Sequence, residues 1–290
     1  MHALIERLLN DGPVVTDGAW GTQLQIRGLS DGDCPDEWNL SHPDRVEEVP
    51  RVYVAAGSQI ILTNTFRANG PALAGFGLAD KTEAINRAGA EISRRAAGAE
   101  TYVFGSIGPS GKMLFAGDIS EEELQAAFDE QVRALTDGGV DGLVIETMSD
   151  LAEAKLALAA AKNTELPTVA CMVFDSGQEK DRTMMGVTPE EAAKELTASG
   201  ADVIGANCGQ GIAGYTTICQ RLHDATECPI WVKPNAGTPE IVDDQVVYRT
   251  SPREFAQYAP ALLQAGASFI GGCCGATHEF IQALKAEIVS

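Results

Sequence analysis

The chain has 290 residues, 41 of them acidic and 21 basic, for a formal charge of −20. Such a surface repels nucleic-acid phosphate and anionic lipid, so neither is expected as a partner. No apolar run approaches the roughly 20 residues of a membrane span, and residues 1–9 lack the unbroken apolar core of a signal peptide, so a cytoplasmic protein is expected.

Residues 3–10 read as a short amphipathic helix, and 13–16 as a strand stopped by Asp17-Gly18. Polar, glycine-containing sequence follows to about residue 33, then a helix over 44–56 capped by Ser41-His42-Pro43. The second strand spans 58–63. A helical region over 71–97, broken near 75–77, leads to a third strand at 102–105. Ser120 opens a helix to 137 with a capping-box pattern. The remaining strands are expected at 142–145, 167–174, 203–207, 230–232 and 269–272, and the intervening helices at 151–162, 189–199, 215–225 and 252–265. A polar loop covers 175–186, a long excursion follows residue 237, and a helix over 277–288 closes the chain.

Eight β-rich runs thus alternate with eight helical segments, and several helices end on glycine, as at Gly57, Gly139, Gly200 and Gly266. The runs are almost continuously apolar, which fits parallel strands buried on both faces. The expected fold is a single α/β domain over 1–290, a (β/α)8 TIM barrel; an open doubly wound sheet is the alternative. No G-x-G-x-x-G follows the first strand, which counts against a dinucleotide fold.

In a (β/α)8 barrel the chemistry lies at the C-terminal ends of the strands. Those ends carry Asp17-Gly18, Asn64, Ser106, Glu146-Thr147, Asn207-Cys208, Asn235 and Cys273-Cys274. Seven cysteines without the density of a secreted scaffold suit a reducing compartment, where a vicinal disulfide between Cys273 and Cys274 is disfavoured. Cys34, Cys171, Cys219 and Cys228 read as buried small residues. Cys208, Cys273 and Cys274 come from strands six and eight, roughly 10 Å apart, a gap that loops past the strand tips can close. Three thiolates suit Zn²⁺ and leave a coordination position open. Such a site lowers the pKa of a substrate thiol, and the resulting thiolate attacks an electrophilic carbon such as an activated methyl group, with no separate base.

Asp17 and Glu146 together suit a substrate ammonium, and backbone amides near Gly18 and residues 105–107 its carboxylate. Asp17 also reads as an ordinary turn residue before glycine. Lys233, at the end of strand seven, has two readings: a Schiff-base lysine of an aldolase, or a lysine on the rim or the helix-facing side, which is preferred.

The motifs DGAWGTQLQ (17–25), WNLSHPDRV (38–46), TNTFRAN (63–69), GSIGP (105–109), ANCG (206–209), KPNAG (233–237) and GGCCG (271–275) occur in that order over nearly the whole chain. In this the chain resembles the homocysteine S-methyltransferase family, including the homocysteine domain of cobalamin-dependent methionine synthase and betaine–homocysteine methyltransferase. The resemblance implies a (β/α)8 barrel with zinc on Cys208, Cys273 and Cys274. It implies homocysteine as methyl acceptor, with Asp17 and Glu146 near its amino group and Asn64 and Ser106 lining the pocket. Asn235 matches an asparagine that approaches zinc when substrate is absent. WNLSHP and the long KPNAGTPEIVDD stretch look closer to the methionine synthase branch. Family members often show G-T-T-P-E-H after the cysteines; here Gly275-Ala276-Thr277-His278-Glu279-Phe280 stands instead. No folate or corrinoid domain is read in these residues. The donor is therefore expected to be a small molecule, such as S-methylmethionine or betaine, or to reside on a separate corrinoid or folate-binding protein that this chain serves as the homocysteine-activating subunit.

Overall fold

The computed structural model describes residues 1–242 and 245–289. Asp243 and Asp244, the end of the KPNAGTPEIVDD stretch, and Ser290, the last residue of the expected domain, lie outside the described residues. Eight parallel strands form one sheet: β1 (Val14–Val15), β2 (Ile60–Leu62), β3 (Tyr102–Ile107), β4 (Gly142–Met148), β5 (Thr168–Met172), β6 (Val203–Gly211), β7 (Ile230–Asn235) and, last in the chain, β10 (Ala267–Ile270). The intervening β8 (Glu240–Val242) and β9 (Gln245–Val247) make a separate antiparallel hairpin within the stretch expected as a long excursion. β1 pairs with β10 on one side. On the other, a bridge from Thr16 to Ile60 and a 2.8 Å bond from the Gln59 amide to the Val15 carbonyl bring the sheet's two ends together. The fold is a TIM barrel.

Two apolar layers follow from strand alternation. Val14, Ile60, Leu62, Phe104, Val144, Val169, Cys171, Val203, Trp231 and Phe269 fill the barrel, and Leu4, Ile5 and Leu8 of the first helix (Ala3–Leu9) join the same cluster and plug its N-terminal mouth. The opposite residues of each strand pack under the helices. With one mouth plugged, the cavity that remains lies at the other. Among the described residues, no helix is long and apolar enough to cross a membrane.

The expected helix over 252–265 is two helices, Pro252–Ala256 and Ala259–Gln264. Pro260 explains the break, since it offers no amide to the carbonyl of Ala256 and its ring clashes there. The polar segment after β1 also holds helices at Gly21–Ile26 and Trp38–Ser41. Asn39 on the second of these donates to the Asn64 carbonyl at 2.7 Å, which ties the WNLS motif to the TNTF motif. Of the four cysteines assigned to the core, Cys34, Cys171 and Cys219 are buried and Cys228 is half-buried.

Candidate functional site

Gly271 and Gly272 leave β10 against the end of β1. A Cβ on Gly271 would stand 2.0 Å from Thr16 Oγ1 and 2.6 Å from the Asp17 carbonyl oxygen, so only glycine fits. Gly271→Ala is expected to cost about 1–3 kcal/mol, read as a lowered denaturation midpoint with unchanged m. The segment then turns over β7. The Cys273 amide bonds the Pro234 carbonyl at 2.8 Å, and the Ala236 amide bonds the Cys274 carbonyl at 2.9 Å.

Cys208 reaches the same point from β6 by a different device. Its φ is +63°, a left-handed conformation that a side chain rarely adopts, and the pairing of β6 with β7 shifts register between Asn207 and Gly211. The bulge re-aims the thiol over the mouth. Tyr215 Oη donates to the Cys208 carbonyl at 2.7 Å and holds the turn. The Sγ atoms of Cys208, Cys273 and Cys274 all lie within 4.8 Å of one another, with Cys208 and Cys274 at 3.8 Å. Bonds of about 2.3 Å at tetrahedral angles place sulfurs about 3.8 Å apart, so the donor set fits a zinc ion with one position left over. Asn235, next to the Ala236 whose amide bonds Cys274, has a buried Oδ1 that accepts no hydrogen bond.

Packed together, the three thiols resist ionisation. The bond from Cys273 and burial push Cys208 up to about 12, and the bond with Cys208 and burial do the same for Cys274. Metal binding must therefore expel thiol protons. Zinc affinity is expected to fall steeply as pH is lowered from 8 to 6, with proton release on binding, measured by chelator competition and by calorimetry in two buffers.

A cavity of about 320 Å³ opens beside the sulfurs, lined by Gly18, Asn64, Ser106, Glu146, Lys233 and the three cysteines among others. Glu146 is buried; its Oε1 accepts from Ser106 Oγ at 2.5 Å and its Oε2 from Asn207 Nδ2 at 3.1 Å. Burial raises its pKa above the ordinary carboxylate value, although the Lys233 ammonium and Ser106 pull it back. Asn207, read from the sequence only as a strand-end residue, has a role that reading did not assign. Its Oδ1 accepts from the Thr147 amide at 2.7 Å, and its Nδ2 donates to Thr147 Oγ1 at 2.6 Å and lies 3.9 Å from Cys273 Sγ. One amide thus holds the carboxylate, the thiol and the left-handed Thr147, whose φ is +60°.

The expected placement of Lys233 on the rim or helix side is corrected. Trp231 points into the barrel, so by alternation Lys233 does too, and it is 2% exposed. Its Nζ bonds Asp17 Oδ1. Asp17 Oδ2 accepts from the Leu62 amide at 2.8 Å and from Trp20 Nε1 at 3.1 Å, so that carboxylate is already engaged by three donors and lies beneath the cavity lining. Burial alone would lower the Lys233 pKa; Asp17 and Glu146 more than offset it and hold the ammonium charged. Of the amides at residues 105–107 expected to receive a carboxylate, that of Ser106 is already engaged. Those residues pair with β4, and the Ser106 amide bonds Thr63 Oγ1 at 2.9 Å. Asn64 lines the cavity, but its side-chain amide donates to the Pro35 carbonyl at 2.8 Å and to Asn39 Oδ1 at 3.0 Å.

The family model described as homocysteine S-methyltransferase matches residues 14–288. The chain belongs to the homocysteine S-methyltransferase family. Among curated relatives, methionine synthase of Mycobacterium leprae is 31% identical over 95% of this chain and 24% of the relative. Methionine synthase of Mycobacterium tuberculosis is 30% identical over 98% of this chain and 25% of its own length. The chain therefore spans about a quarter of the methionine synthases it matches. Among solved structures, the homocysteine methyltransferase MmuM from Escherichia coli in its metallated form aligns with TM-score 0.81 and 26% identity, over 97% of this chain and 99% of that one.

Proposed function

We propose that this chain transfers a methyl group to the thiol of homocysteine, giving methionine, with Cys208, Cys273 and Cys274 holding a zinc ion. The observation that carries the reading is the convergence of three thiols at zinc-ligand spacing on a cavity that also holds a buried carboxylate. When bound, zinc would lower the pKa of the substrate thiol and supply a thiolate nucleophile at neutral pH. The protein's own groups do the rest. Glu146, oriented by Ser106 and Asn207, receives the substrate ammonium. The backbone from Gly18 onward, which lines the cavity, faces the carboxylate end. Asn235 Oδ1, buried without a donor, would serve as an oxygen ligand to zinc when the thiol is absent.

Two readings of the donor follow from the comparisons. MmuM is covered almost end to end, which favours a small donor acting on this chain alone. The methionine synthases extend well beyond it, which favours a separate corrinoid or folate-binding protein. Zinc-loaded protein and homocysteine incubated with S-methylmethionine, betaine, S-adenosylmethionine, methylcobalamin or a methylated corrinoid protein separate the two. Methionine from a small donor alone supports the first, methionine only with the corrinoid protein the second, and none with any donor defeats the proposal. An aldolase reading needs a neutral Lys233 amine, and the ion pair with Asp17 opposes it.

A further inference from the structure

We infer that Lys233 is a positioning residue for substrate recognition: by neutralising Asp17 inside the barrel, it leaves Glu146 as the carboxylate that selects a thiol carrying a free α-ammonium. The inference rests on the proposed homocysteine reading and deepens it.

Three charged side chains share the space under the sulfurs: Asp17 from the turn after β1, Glu146 on β4 and Lys233 on β7. Two of them are committed to each other, since Lys233 Nζ bonds Asp17 Oδ1. Asp17 keeps two further donors, the Leu62 amide and Trp20 Nε1, with or without the lysine. Glu146 has only the neutral donors Ser106 and Asn207. Cys171 on β5, another titratable group facing it inside the barrel, is a thiol that burial holds neutral, and Cys273 belongs to the metal site. Two carboxylates in one dry site cannot both keep a charge cheaply. With Lys233 present, the set carries one net negative charge, and it faces the cavity through Glu146. Without Lys233, Asp17 retains its donors and Glu146 takes the proton, so the site loses its attraction for an ammonium group.

The test uses zinc-loaded full chain and two thiols, homocysteine and its desamino analogue 4-mercaptobutyrate, with dissociation constants from calorimetry. The wild type is expected to prefer homocysteine at least about tenfold, the size of a charged hydrogen bond. In Lys233→Met the preference is expected to fall to near one. In Asp17→Asn/Lys233→Met, where no second carboxylate opposes Glu146, most of it is expected to return. That double variant also removes the unpaired buried Asp17, so a single variant too unstable to purify still leaves a decisive comparison: a double variant with no preference overturns the inference. A preference that survives or grows in Lys233→Met overturns it as well, because the substrate ammonium would then be replacing the lysine. A wild type that binds both thiols equally defeats the homocysteine reading itself, a result distinct from either of these.

Discussion

Cys273→Ala is expected to lose stoichiometric zinc on dialysis and to reduce methyl transfer to homocysteine to below about a hundredth of wild type, since even residues that merely orient metal ligands cost ten- to a hundredfold when removed. The variant strikes the site twice. It deletes one of three sulfurs that lie within 4.8 Å of each other, and it removes the sulfur 3.9 Å from Asn207 Nδ2, the amide that also holds Glu146. Cys219→Ala is the control. That thiol is buried in the outer layer, 3.5 Å from the Ala265 carbonyl, so its removal is expected to lower stability by about 1 kcal/mol while leaving zinc content and turnover near wild type. Element analysis by mass spectrometry and a single-donor assay on both variants decide the matter. Full zinc and full turnover in Cys273→Ala would sink the metal reading.

What could be read from the chain, and what could not, divides along physical lines. The barrel was legible because each strand is a short apolar run, several of them preceded by a glycine-ended helix, and because the polar exceptions fall at strand ends. The cysteine trio was legible because adjacent cysteines between glycines serve few purposes in a core. The orientation of Lys233 was not, because β7 is apolar on both faces and Ile230-Trp231-Val232 gives no hint of which side is inner. Trp231 inside the barrel settles it. Asn207 was legible as a strand-end residue but not its role, because its three bonds across to β4 depend on which strands are neighbours. The left-handed Thr147 and Cys208 were equally silent, since neither residue type favours that conformation. Both sit where a barrel strand shifts register, and both meet Asn207 or the metal site, so the strain is located where the chemistry is.

Glu146→Gln tests the recognition half of the site apart from the metal half. The substitution is sterically mild: the Ser106 hydroxyl, which now donates to Oε1, can accept from the new amide instead, while the glutamine oxygen takes the Asn207 donor. What is lost is the charge. KM for homocysteine is expected to rise about ten- to a hundredfold, equivalent to a charge-assisted hydrogen bond, with kcat little changed and zinc content intact. The pH dependence carries the same information with a definite sign. Burial holds the Glu146 pKa above its ordinary value, so the carboxylate is charged above that raised value and takes up a proton as pH falls through it. Homocysteine binding by the wild type should therefore weaken on the acid side sooner than an ordinary glutamate would allow. Loss of zinc also weakens binding at low pH, so the comparison is made at saturating zinc with metal content checked at each point. Under those conditions the acid-side rise in KM is expected to disappear in Glu146→Gln. An unchanged KM, or an acid limb that persists in the variant, would show that the substrate ammonium is held elsewhere.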